Sequence, residues 1–208
     1  MTDAPDFPQL YLITPAEFEL SVFPDQLAAC LDAAETACVR LSMATKDEDR
    51  IARAADALRE VTHQRDVPLV IDTHYMMVER LGLDGVHLMD AARSVKKVRK
   101  ELGDDAIIGA FCNASSHDGM TAGELSADYV SFGPVGETPL GTGEKAPKDL
   151  FQWWSQMIEV PVVAEGALTD AVVRDLAPYT EFFAVGDEIW STDAPTETLL
   201  ALFAAMRA

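Results

Sequence analysis

The sequence predicts a single (β/α)8 TIM barrel, an α/β fold, and three observations predict it. Eight short apolar runs are spread along the chain, and longer stretches with helical spacing lie between most of them. The runs are nearly continuous in apolar residues, as expected of parallel strands covered on both faces. The first run ends in Thr14-Pro15-Ala16, without the glycine-rich phosphate loop that opens a dinucleotide-binding sheet, which weakens an open doubly wound alternative. Eight strand–helix units in 208 residues leave little for anything else. No linker or low-complexity tract interrupts them, so residues 1–208 read as one domain.

The strand runs are LYLIT (10–14), CVRLSM (38–43), PLVIDT (68–73), GVHLMD (85–90), AIIGAFC (106–112), YVSFGP (129–134), PVVAEGA (161–167) and EFFAVGD (181–187). Helices are predicted over 25–34, 47–65, 94–102, 147–158, 169–176 and 196–206. The clearest is 47–65, where Ile51, Ala54, Ala55, Leu58 and Val61 recur on one face behind an acidic first turn. The helix from Ser94 carries Val95, Val98 and Leu102 on one face and stops at Gly103. After the third run a short helix opens near His74, with Thr73 as its candidate N-cap.

Composition excludes several function classes. Sixteen basic side chains face 35 acidic ones, a formal net charge of −19, which argues against a nucleic-acid or membrane-surface binder. The run Lys96-Lys97-Arg99-Lys100 is an isolated basic helix face. No stretch approaches the roughly 20 apolar residues of a membrane span, and MTDAPDFPQ lacks signal-peptide character. Cys30, Cys38 and Cys112 have no metal-type spacing and are expected as reduced thiols in a cytoplasmic protein.

In such a barrel the chemistry sits at the C-terminal ends of the strands. The residues there are Arg40 and Ser42; Asp72, Thr73 and His74; His87 and Asp90; Cys112 and Asn113; Ser131 and the loop 133–145; Glu165 and Gly166; and Gly186, Asp187 and Glu188. Several residues have a plainer reading. His87 beside an apolar strand is either a ligand-facing group or a satisfied core histidine. His74 and His117 suit a surface, and Asp187-Glu188 suits the acidic start of a helix. Cys112 has no basic neighbour in sequence to activate it. Of Trp153-Trp154, one ring suits the core and the other an interface, and Met76-Met77 suits packing.

The segments LYLIT, PLVID (68–72), LGLDGVHL (81–88), DDAIIGA (104–110), ADYVSFGPVGETP (127–139) and VPVVAEGAL (160–168) resemble the thiamine phosphate synthase and thiazole tautomerase superfamily over almost the whole chain. The resemblance implies a small barrel that joins a hydroxymethylpyrimidine pyrophosphate to a thiazole phosphate with Mg²⁺ and release of pyrophosphate. It implies a small-molecule ligand at the C-terminal face and suggests a homodimer.

The chain departs from the family's pattern residue by residue. Arg40-Leu41-Ser42-Met43-Ala44 stands where the family has Q-x-R-x-K, so Arg40 takes the Gln place and both basic positions are lost. Asp72-Thr73-His74 stands for Asn-Asp-Arg, with threonine at the metal carboxylate. After His87-Leu88 the family's second acid is gone and Asp90 falls two positions early, so Asp72 and Asp90 are the remaining candidates for a metal. Phe111 and Asn113 replace a serine and a histidine, which removes the base expected in the tautomerase branch. Gly133, Pro134 and Thr138 are kept, but Leu140-Gly141 replaces the Thr-Lys pair, and Lys145 lies further along the loop. Gly166-Ala167 replaces a Gly-Gly phosphate turn, and Gly186-Asp187 replaces a Val-Ser pair. The resulting expectation is a ligand site of Arg40, Asp72, His74, His87, Asn113, Thr138, Glu165, Gly166, Gly186 and Asp187. Its acid-rich mouth leaves two readings: a rearranged transferase, or a barrel binding or converting a neutral or cationic small molecule.

Overall fold

The computed structural model describes residues 7–208. Eight parallel strands close on themselves in chain order. They are β1 (Gln9–Ile13), β2 (Thr36–Leu41), β3 (Leu69–Asp72), β4 (Gly85–Leu88), β5 (Ile107–Phe111), β6 (Tyr129–Phe132), β7 (Val162–Glu165) and β8 (Phe182–Val185). Closure is made by β1 pairing with β8, Leu10 opposite Phe183 and Leu12 opposite Val185. Each predicted run is therefore a strand, shortened mainly at its C-terminal end, where the chain turns outward into the mouth.

The helices are α1 (Phe23–Ala33), α2 (Glu48–His63), α3 (Val78–Leu81), α4 (Val95–Leu102), α5 (Ser116–Glu124), α6 (Lys148–Met157), α7 (Asp170–Leu176), α8 (Asp187–Trp190) and α9 (Pro195–Ala205). Cap chemistry sets several starts. Asp47 accepts from the amides of Asp49 and Arg50 at α2, and Thr169 accepts from Val172 at α7. Gly103 stops α4 at φ +82°.

Two expectations need correction. Thr73 caps no helix: its φ is +62°, and the 3₁₀ turn Tyr75–Met77 begins after His74, with no side-chain cap. Helix α5 was not foreseen, because Gly119 and Gly123 interrupt its pattern. Gly119 is needed there because a Cβ would come within 2.8 Å of Phe132 and Trp154.

The main core lies between barrel and helices, built from residues such as Leu10, Leu12, Leu58, Val98, Phe132, Phe151 and Trp154. Trp154 is buried and Trp153 exposed. A second apolar layer fills the barrel itself: Tyr11, Cys38, Val70, Tyr129, Val163 and Ala184. Among the described residues, no helix is long and apolar enough to cross a membrane.

Candidate functional site

Two residues beyond Tyr11, Cys38, Val70, Tyr129 and Val163 on the same strands come Ile13, Arg40, Asp72, Ser131 and Glu165. The strand period of two turns them to the same interior, one layer nearer the mouth. Here sits a buried charge cluster. Arg40 Nη2 donates to Glu165 Oε2 at 2.8 Å, and Ser131 Oγ donates to Glu165 Oε1 at 2.6 Å. Arg40 Nε lies 3.3 Å from Asp72 Oδ1, an ion pair without hydrogen-bond alignment. Arg40 is 4% exposed and Glu165 1%. An isolated charge at that depth would be costly, so the two carboxylates are what keep the guanidinium there. Burial opposes its charge, but Glu165 and then Asp72 hold its pKa well above the usual value. Burial raises the Asp72 carboxyl above the usual carboxylate value, with Arg40 pulling the other way.

The deeper layer is a neutral polar chain. Tyr11 and Tyr129 share a hydrogen bond of 2.7 Å, and Tyr129 Oη meets His87 Nδ1 at 2.9 Å. Tyr129 crosses the barrel because β5 offers Gly109 opposite it, where a Cβ would lie 2.0 Å from the ring. Burial, then the charge of Arg40, push the His87 pKa well below 6.5, so the imidazole is neutral. Burial raises both tyrosines well above 10.

Above the cluster opens a cleft of about 230 Å³, lined by Ile13, Arg40, Thr138, Glu165, Gly166, Gly186, Asp187 and Glu188 among others. Its lining has one cation, Arg40, and three carboxylates, with Asp72 a fourth beside Arg40. Gly166 has φ +90°, open only to glycine at low cost, and a Cβ there would press on Leu140 and Pro134. Asp187 is exposed at the rim, whereas Glu188 turns inward onto the backbone of the β7 and β8 loops.

The structure brings Arg40, Asp72, Thr138, Glu165, Gly166, Gly186 and Asp187 to this mouth. His87 lies a layer below, fully buried. His74 is half-buried and turns its Nδ1 to the Asp72 carbonyl at 2.8 Å. Asn113 accepts from the Thr142 amide, pinning the loop after β6. Asp90 is exposed and accepts from Ser94 Oγ at 2.6 Å. Lys145 pairs with Glu137 at 3.2 Å on the surface. Cys112 is buried and its thiol is pushed up to about 12 by burial. The Mg²⁺ implied by the resemblance does not fit this donor set. Asp72 is held by Arg40, Asp90 is on the surface, and no three His, Cys, Asp or Glu side chains gather as a metal group among the described residues.

Tyr11 and Tyr129, inside the predicted strand runs, and the Ser131 hydroxyl carry no role in the sequence reading. One signal was available: glycine at 109 inside a strand marks a close approach.

Comparison with known proteins agrees with this architecture. Residues 10–188 match the family described as thiamine monophosphate synthase. A thiamine-phosphate synthase of Rhodospirillum centenum is 37% identical over 98% of this chain and 97% of its own. One of Erythrobacter litoralis is 36% identical over 89% of each. The solved thiamine phosphate pyrophosphorylase of Pyrococcus furiosus superposes with a TM-score of 0.83 at 18% identity, covering 96% of this chain and 95% of that one, a likeness of fold. A barrel closed in chain order and a match over nearly its full length have one reading: the chain belongs to the thiamine monophosphate synthase family.

Proposed function

We propose that the cleft takes a small molecule of thiamine metabolism, a thiazole, an aminopyrimidine or thiamine itself, in neutral or cationic form and without phosphate. The observation that carries this reading is the clamp on Arg40. The one cation of the cleft is already matched by Glu165 and Asp72, so it has little net charge to offer an incoming anion. Asp187 and Glu188 add negative charge to the rim. A thiazolium or a protonated aminopyrimidine suits such a mouth, whereas a pyrophosphate must enter against like charge.

A second reading, the family's transfer reaction by a rearranged site, is favoured by the 37% identity over 98% of the chain to a thiamine-phosphate synthase. Calorimetric titration with thiamine and with thiamine phosphate separates the two. The first reading predicts that thiamine binds at least about tenfold tighter, the equivalent of about 1.4 kcal/mol. Tighter binding of the phosphorylated ligand overturns it.

A further inference from the structure

Helix α4 opens on the charge that its dipole disfavours. Every other α-helix among the described residues has an acidic residue in its first turn, where the dipole favours one. The first turn of α4 holds Lys96 and Lys97 and no acid. Some of its cations are held within the fold. Arg99 Nη2 pairs with Asp128 Oδ2 at 2.6 Å, and Lys97 Nζ lies 5.4 Å from the Tyr75 ring centre. Arg93, Lys96 and Lys100 are exposed and make no ion pair among the described residues. Their spacing puts them along one side of the helix. They form a basic stripe on a chain whose formal net charge is −19.

At the far end of the same helix lies the stripe's complement. A groove of about 340 Å³ is lined by residues of α3 and α4 and their loops. These include Val78, Leu102 and Ile107, the carboxylates of Glu79, Asp84 and Asp105, and no cation. Such a groove suits a lysine side chain, with the aliphatic stem on the apolar residues and the ammonium at the carboxylates. The stripe alone would suit an acidic partner of any kind, and the groove alone an amine. Both lie on one element of one chain, so a second copy satisfies them together. A two-fold axis passing between them lays each stripe over the other copy's groove. We propose that this face pairs two copies of the chain, with Lys96 and Lys100 of each reaching the α3–α4 groove of the other. An exposed ion pair contributes little by itself, so association depends on the lysine stems being covered as the charges meet. The like net charge of two copies opposes their approach, but it is screened beyond about 8 Å at physiological salt. Contact between the complementary patches then decides the outcome.

The test is sedimentation velocity of the full chain at tens of micromolar. The samples are the wild type, K96E/K100E, E79K/D105K, and an equal mixture of the two variants. Asp84 is left in place because it also accepts from the Leu69 amide inside the fold. The wild type is expected as a dimer. Each variant alone meets like charge at both of its contacts and is expected to associate at least about tenfold more weakly. In the mixture the reversed stripe meets the reversed groove, and the native groove meets the native stripe. The dimer is then expected to return to within about twofold of the wild-type affinity. Near-ultraviolet circular dichroism matching the wild type identifies folded variants, and all four altered residues are exposed. A monomeric wild type overturns the proposal. So does a dimer of unchanged affinity in either variant, which would place the contact elsewhere. A mixture of folded variants that stays monomeric overturns it as well, since the two reversals must compensate if stripe and groove meet.

Discussion

Arg40 and His87 show how a barrel interior holds polar groups. Arg40 stays charged because Glu165 and Asp72 meet it, and His87 stays neutral because it is buried under that charge. The neutral histidine has a measurable consequence. Below its ordinary pKa of 6.5 the unfolded chain takes up a proton that the folded barrel refuses. Stability therefore falls as pH drops below 6.5, by up to about 1.4 kcal/mol per pH unit from this residue. Asp72 works with the opposite sign. Its folded pKa is raised above 3.8, so stability falls as pH rises through that value. Urea unfolding of wild type and H87Q at a series of pH values isolates the histidine. The slope below 6.5 is expected to flatten in H87Q, and an unchanged slope would place its origin elsewhere.

At the scale of elements, backbone strain gathers at the mouth. Thr73, Ala91, Asn113 and Ala167 have positive φ of 62°, 56°, 51° and 56°, and each lies just beyond a strand: β3, β4, β5 and β7. Non-glycine residues in that region cost about 1 kcal/mol or more and collect where a site imposes the backbone. Ala167 is the simplest to test, since its side chain carries no polar group. A167G is expected to stabilise the fold by about 0.5 to 1 kcal/mol, the relief of strain less the added freedom of the unfolded chain. Chemical denaturation checks it, and a net loss of stability would show that the alanine is unstrained.

Elements were legible in the sequence where one signal sufficed. Continuous apolar runs located all eight strands, and the spacing from Ile51 to Val61 located α2. Helix α5 hid because two glycines break its pattern, and they answer to packing rather than to helix propensity: Gly119 to Phe132 and Trp154, Gly123 to Val160. Strand ends were overrun because most of the residues that leave the sheet for the mouth, such as Met43, Cys112 and Ala167, are as apolar or as small as those within it. The rim residues were named from their places after the strands, but their partners were not. Arg40 meets Glu165 across 125 residues, and Tyr11 meets Tyr129 across 118. Nothing in local spacing records which interior groups meet across a closed barrel.

The molecule as a whole has the family's closed barrel, with a mouth rich in carboxylates. Eight strands close in the order of the chain, and the match to relatives runs nearly end to end. Within that frame Arg40 is paired with Glu165 and Asp72, Glu188 accepts from the Leu168 and Gly186 amides, and the net charge of −19 sets the surroundings against anions. The most direct measurement is a steady-state assay of the purified protein with hydroxymethylpyrimidine pyrophosphate, thiazole phosphate and Mg²⁺, following formation of thiamine phosphate. The proposed reading of the mouth predicts no product above the background without protein, and sustained turnover dependent on the protein would contradict it.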